Sequence, residues 1–147
     1  MSAKKKVETQ KILSDAWEVL EEQRLGGLTL PQLSYQTGYT VLELTPLYPS
    51  PAYVLAALLD DSHKKAMQTV SFDDGESCKD KLFEAIMAHF DAVEDHRYAI
   101  KRLWQDLWFS PNYIWTLKPY YLKVCSDALE ASGLDTQGVA GFARVRA

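Results

Sequence analysis

The chain has only two cysteines in 147 residues, no apolar run of membrane length, no excess of basic charge and no glycine-rich phosphate loop. Each absence removes a class of protein. Cys78 and Cys125 have neither the paired spacing of a zinc site nor the density of a disulfide scaffold, so both are expected to be free thiols. No stretch approaches the roughly 18 uninterrupted apolar residues of a spanning helix. The start Lys4-Lys5-Lys6 leads into polar residues rather than an apolar signal core, which predicts a cytoplasmic protein. The formal charge is −4, and residues 1–70 carry 7 basic and 8 acidic side chains against 9 and 12 in the remainder. Neither half is basic, so nucleic-acid binding would rest on local placement of a few cations. Catalysis has little to stand on, because no serine or cysteine has a visible base partner and no dinucleotide fingerprint occurs. His89, Asp91, Glu94, Asp95 and His96 cluster, but the histidines stand seven apart with no third ligand at helical spacing, and the group reads as a solvated helix end. No enzyme activity, metal or cofactor is expected.

What is present is helix. At 47% hydrophobic residues the chain can bury a core, and its apolar positions recur every three or four residues with no alternating β-branched run. Ile12, Ala16, Val19 and Leu20 form a first stripe that ends at Gly26-Gly27. Thr29 caps a short second helix, with Pro31 in its first turn and Gly38 at its end. Thr40 followed by Glu43 predicts a capping box opening a third helix, so Leu30 to Leu47 reads as a helix-turn-helix. Ser50-Pro51 starts a fourth, whose face Val54, Leu55, Leu58 and Leu59 docks on the first three. The polar stretch Ser71 to Asp80 is the linker candidate. Beyond it come one amphipathic helix with Leu82, Phe83, Ile86, Met87, Phe90 and Val93 on one side, and another with Ile100, Leu103, Trp104, Leu107 and Trp108. A third, after Pro111, should kink or mark a junction at Pro119 and close at Ser132-Gly133, and Asp135 or Thr136 caps a last one. The organisation expected is an N-terminal domain over 1–50, a connecting helix over 51–70 and a partial second domain over 71–147.

The run Ile12 to Leu20, Leu28-Thr29-Leu30 with Leu33-Ser34, Thr37-Gly38-Tyr39-Thr40, and Tyr48-Pro49-Ser50 before Val54-Leu55 resembles, without a gap, the DNA-binding domain of the TetR family. The resemblance implies an all-α, TetR-like fold, with a three-helix helix-turn-helix domain followed by an antiparallel helical ligand-binding and dimerisation domain. Further on, Lys81 to Met87, Phe90-Asp91, His96-Arg97, Leu129 to Asp135, Gly138, Gly141 and Arg144-Val145 are similar to a branch of that fold. It includes regulators and the lipid-binding accessory proteins of ubiquinone biosynthesis. In that branch the chain continues beyond the position of Arg144, so this one is expected to lack the last helices. The resemblance also implies a homodimer formed through C-terminal helices, here the apolar face of Val139, Phe142 and Val145.

The DNA-binding candidates implied by the resemblance are Thr29, Thr40, Val41, Leu42, Glu43 and Thr45, with Lys4, Lys5 and Lys6 as an arm toward phosphate. The recognition helix is degenerate: the phosphate-holding tyrosine and lysine positions carry Thr45 and Pro51, Pro46 falls between, and Glu43 repels phosphate. The aromatics Trp104, Trp108, Trp115 and Tyr121, with Met87 and Phe90, are the candidates to wall a cavity for a small hydrophobic or lipid-like ligand, their alternative being core or subunit packing. A ligand-responsive regulator binding duplex DNA is the first functional expectation. The others are a lipid-binding accessory protein without DNA binding and a helical interaction module.

Overall fold

The computed structural model describes residues 2–71 and 75–146, with the backbone alone for residues 2–8, 138, 139, 142 and 144. The side chains of Val139 and Phe142, named above for a dimer seam, therefore lie outside the described residues. All regular structure among the described residues is helical, as expected: α1 (Ser2–Gly27), α2 (Leu30–Thr37), α3 (Val41–Leu44), α4 (Pro51–Thr69), α5 (Cys78–Ala92), a 3₁₀ turn (Glu94–His96), α6 (Arg97–Leu107), α7 (Pro111–Ala131) and α8 (Gly138–Arg146). None is long and apolar enough to cross a membrane. The chain forms two compact units, one from Met1–Leu58 with His96–Leu117 and one from Leu59–Asp95 with Lys118–Ala147.

The first unit is built around α1. The stripe read from the sequence is its core: Ile12, Ala16, Val19 and Leu20 are all buried, joined by Leu33 of α2, Leu44 of α3 and Val54, Leu55 and Leu58 of α4. Fully burying a side chain of this size contributes about 1.5–3 kcal/mol relative to leaving it in water. On its other side α1 packs against α6. There the register differs from the expectation, because Ala99, Leu103 and Leu107 form the buried seam while Trp104 and Trp108 stand outward, 60% and 82% exposed. A step of four residues keeps the three small or aliphatic side chains in line, and each tryptophan lies one position, about 100° of helix, away from that line.

Polar contacts fix the α1–α6 seam. The His96 ring stacks on Trp17 at 4.3 Å between centroids, and its Nδ1 lies 2.7 Å from Glu21 Oε1. Arg102 donates to the Glu21 carbonyl. At the far end Arg24 has φ +62°, a left-handed backbone that breaks α1 two residues before the expected glycines. Such a conformation costs about 1–3 kcal/mol in a non-glycine residue and persists only where surrounding contacts over-determine it. Asp106 of α6 supplies them: Oδ1 accepts from Arg24 Nη2 at 2.6 Å, and Oδ2 accepts from Arg24 Nε and from the Leu25 backbone N–H, both at 3.3 Å.

The second unit has a different interior. Its buried positions include Ala66 of α4, Ala85 of α5, Ala128 of α7 and Ser132 just after that helix, all small side chains, with His63 of α4 among them. Cys78, placed by sequence in the linker, is the first residue of α5, because Ser77 caps that helix through the Asp80 N–H. Pro119 lies inside a continuous α7, next to the residue at which the two units divide. Gly133 ends α7 at φ +85°, and Asp135 accepts from the Gln137 N–H just ahead of α8.

This packing predicts a contrast measurable by urea denaturation. Leu20→Ala should lower stability by about 3 kcal/mol, and Asp106→Ala by about 1–2 kcal/mol through its lost ion pair and orphaned Leu25 N–H. Trp108→Ala, at an exposed position, should stay within about 0.5 kcal/mol of the parent.

Candidate nucleic-acid interface

The helix-turn-helix consists of α2, the turn Gly38–Thr40 and α3. Thr29 starts α2 by accepting from the Gln32 N–H, and Pro31 in the first turn forfeits no helical bond. Gly38 ends it at φ +79°. A Cβ there would meet nothing within 4 Å, so backbone conformation rather than space calls for glycine. The turn is stitched by side chains: Thr37 Oγ1 donates to the Leu33 carbonyl and accepts from the Tyr39 N–H, and Ser34 Oγ donates to the Tyr39 carbonyl at 2.6 Å. Lys11 of α1 donates to the Thr37 carbonyl at 3.0 Å.

The predicted capping box is complete. Thr40 Oγ1 accepts from the Glu43 N–H, and Glu43 Oε2 accepts from the Thr40 N–H at 2.8 Å and from its hydroxyl at 2.9 Å. These bonds hold the Glu43 carboxyl below its usual range, the backbone bond contributing most. A fixed negative charge therefore marks the start of α3. The helix is one turn long: Thr45 is its C-cap, its hydroxyl bonded to the Val41 carbonyl, and Pro46 lies beyond it in a turn closed by the Leu47 and Tyr48 N–H groups on the Leu44 carbonyl, so its missing N–H falls outside the helix.

Leu44 anchors α3 inward, leaving Thr40, Val41, Leu42, Glu43 and Thr45 exposed, Leu42 at 85%. Tyr35 stands equally exposed on α2. Between Arg24 and Lys64 the sequence contains no lysine or arginine. Arg24 is paired with Asp106, and Lys11 is directed to Thr37. The helix-turn-helix thus exposes hydroxyl and apolar groups and the Glu43 carboxylate at its surface, with no lysine or arginine of its own. The side chains of Lys4, Lys5 and Lys6, the expected arm, lie outside the described residues.

The ligand candidates divide between the two units. Trp104, Trp108 and Trp115 belong to the first unit and Met87, Phe90 and Tyr121 to the second, and all six are exposed. The Tyr121 hydroxyl, hydrogen-bonded to the Cys125 sulfur one turn on, is pushed above its usual range. The second unit has an open cleft of about 620 Å³ whose apolar wall is Pro119, Leu122 and Val145 and whose polar groups include Lys123, Ser126 and Thr136. None of the six candidates lines it. The histidines read as a solvated helix end are also placed otherwise: His96 is held against Trp17 and Glu21, and His89 bonds to His63. Local spacing could not reveal this, since His63 is 26 residues away on another helix.

The capping box makes the start of α3 sensitive to acid. A carboxyl whose folded pKa is depressed stabilises the fold above the ordinary glutamate range, and that contribution disappears as pH falls through the folded value. Thr40→Ala should cost about 1 kcal/mol at neutral pH. Glu43→Gln should reduce amide-exchange protection of Thr40 at neutral pH, and the difference from the parent should close in acid.

Among solved structures, the chain is similar to a TetR transcriptional regulator from Streptomyces coelicolor, with 19% identity, a TM-score of 0.52, and coverage of 84% of this chain and 64% of that one. The chain therefore spans less than two thirds of that regulator's length. No family model and no curated protein matches it in sequence, and the similarity to the ubiquinone-biosynthesis branch gains no support from these comparisons. The likeness in structure shows the fold: the protein is all-helical and TetR-like.

Proposed function

We propose that the chain is a ligand-responsive regulator of the TetR type, acting in the cytoplasm as a homodimer, in which α3 meets base edges and the Lys4-Lys5-Lys6 arm supplies attraction to phosphate. The observation that carries this reading is the capped helix-turn-helix, whose turn is held by Thr37, Ser34 and Lys11 while Thr40, Val41, Leu42 and Thr45 face outward. Hydroxyls can bond to base edges, and Val41 and Leu42 suit thymine methyl groups. A dimer presents two such helices to two half-sites. The effector binds in the second unit, in the cleft where Pro119, Leu122 and Val145 stand among polar and charged groups such as Lys123, Glu130 and Arg146 that can orient it.

A second reading is favoured by one observation, the absence of any lysine or arginine between Arg24 and Lys64. On it the protein is an accessory factor that carries a hydrophobic ligand and has lost DNA binding, its helix-turn-helix serving as scaffold. Fluorescence anisotropy separates the two. With the promoter of its own gene against scrambled duplex, the regulator should discriminate by roughly a thousandfold or more. Deleting residues 1–6 should lower affinity for both duplexes and flatten the salt dependence, each lost phosphate contact reducing the logarithmic slope by about 0.9. Equal binding to both duplexes that vanishes with the arm replaces the first reading by the second.

A further inference from the structure

The buried histidine of the second unit belongs to a continuous hydrogen-bonded chain across three helices. His63 of α4 places its Nδ1 2.8 Å from Nε2 of His89 on α5, and its Nε2 2.8 Å from Oδ2 of Asp127 on α7. The remaining ring nitrogen, His89 Nδ1, lies 2.6 Å from the Ala85 carbonyl. We propose that this chain is a proton-binding site: His63 and His89 share one bound proton, Asp127 balances its charge, and the filled site is a pH-sensitive clamp joining α4, α5 and α7.

The argument is a proton count. A carbonyl oxygen cannot donate, so His89 Nδ1 must carry a hydrogen, and in a neutral ring that leaves Nε2 bare. An ionised Asp127 accepts only, so His63 Nε2 must carry a hydrogen, which leaves Nδ1 bare. Two neutral rings would therefore face each other lone pair to lone pair at 2.8 Å. One additional proton between the two facing nitrogens removes the conflict and satisfies all three contacts. The same total holds if the proton is drawn on the carboxyl group: Asp127 then donates to His63, His63 Nδ1 donates to His89, and His89 donates to Ala85. Every arrangement without a repulsive contact holds one proton more than an ionised aspartate and two neutral imidazoles.

The rings also aim in the direction such a bond requires. Their centres are 5.1 Å apart, and this exceeds the nitrogen-to-nitrogen distance by one ring radius at each end, so the two nitrogen axes are nearly collinear. Nitrogens converging on a shared metal ion would turn their rings toward each other and bring the centres closer. Among the described residues no group of three donors is placed to hold a metal.

Other charges near the trio have partners of their own. One turn from His63 on α4 stands Asp60, bonded to Lys64 and Lys123. One turn from Asp127 on α7 stand Lys123, directed to Asp60, and Glu130, which accepts from the Thr136 hydroxyl. The positions one turn from His89 on α5 are Ala85, Ile86 and Ala92, none of them charged. Asp127, partly exposed where His63 is buried, is thus the anion that faces the imidazole pair. The bound proton closes the clamp, and its loss as pH rises restores the lone-pair conflict. The stabilisation is present at lower pH and disappears on alkalinisation.

Nitrogen-15 NMR of the histidine-labelled full chain reads the site directly, since His96 is the third histidine and serves as an internal comparison. Expected are protonated His89 Nδ1 and His63 Nε2, and one strongly downfield proton correlated with both facing nitrogens. Two neutral rings with bare facing nitrogens overturn the proposal. Asp127→Asn should abolish the downfield proton while circular dichroism stays helical, and Asp61→Asn should leave it; a signal that survives Asp127→Asn overturns the charge balance. Thermal stability should fall with rising pH in step with that signal. His89→Gln offers an amide N–H to His63 without a titrating proton, so its stability should lack the step. An identical pH profile in His89→Gln overturns the clamp.

Discussion

The carboxylate of Asp106 meets the chain where α1 stops being a regular helix. Arg24 turns into a left-handed conformation there, and the same aspartate accepts from its guanidinium and from the next backbone N–H. The turn lets Leu25 and Leu28 enter the core, so that α2 begins at Leu30 against the face that α1 has prepared. The strain of one residue and the position of a whole helix are thereby referred to a side chain more than eighty positions away. α1 serves as a platform, with the helix-turn-helix on one flank and α6 on the other.

The local rules of helix making were legible in the sequence. Thr29, Gly38, the Thr40–Glu43 pair, Ser132-Gly133 and the stripe from Ile12 to Leu20 each act within a few residues, and the structure places them as periodicity and capping chemistry require. What could not be read was which side of an amphipathic helix wins. Along α6 the tryptophans supply the larger apolar area, yet Ala99, Leu103 and Leu107 make the seam because they align at steps of four beside α1. Pairings between distant segments were equally hidden. His63 carried no signal at all, His89 was grouped with near neighbours in sequence, and Asp127 stands on a helix that no motif connected to either.

The two units use opposite means of holding helices together. In the first, leucine, isoleucine and valine fill most of the interior beside the hydrogen-bonded Thr37, and Glu21, Arg24 and Asp106 act at its edge. In the second, the buried positions are alanine together with serine and histidine, and each polar group there must find a partner or carry the cost of desolvation. An apolar seam tolerates small adjustments of position; a hydrogen-bonded one has a few discrete states. A fold with both kinds separates a part whose shape is maintained from a part whose state can be set by chemistry.

The gap in basic residues between Arg24 and Lys64 also determines how this protein can be handled chemically. Trypsin has no cleavage site within it, so a digest delivers α2, α3 and most of α4 as one unbroken peptide. Amine-directed cross-linkers and labels find no lysine across the same span. Mapping whatever touches the helix-turn-helix will need reagents that attack carboxylates, tyrosine rings or aliphatic C–H bonds, for which Glu43, Tyr35 and Leu42 stand ready at the surface.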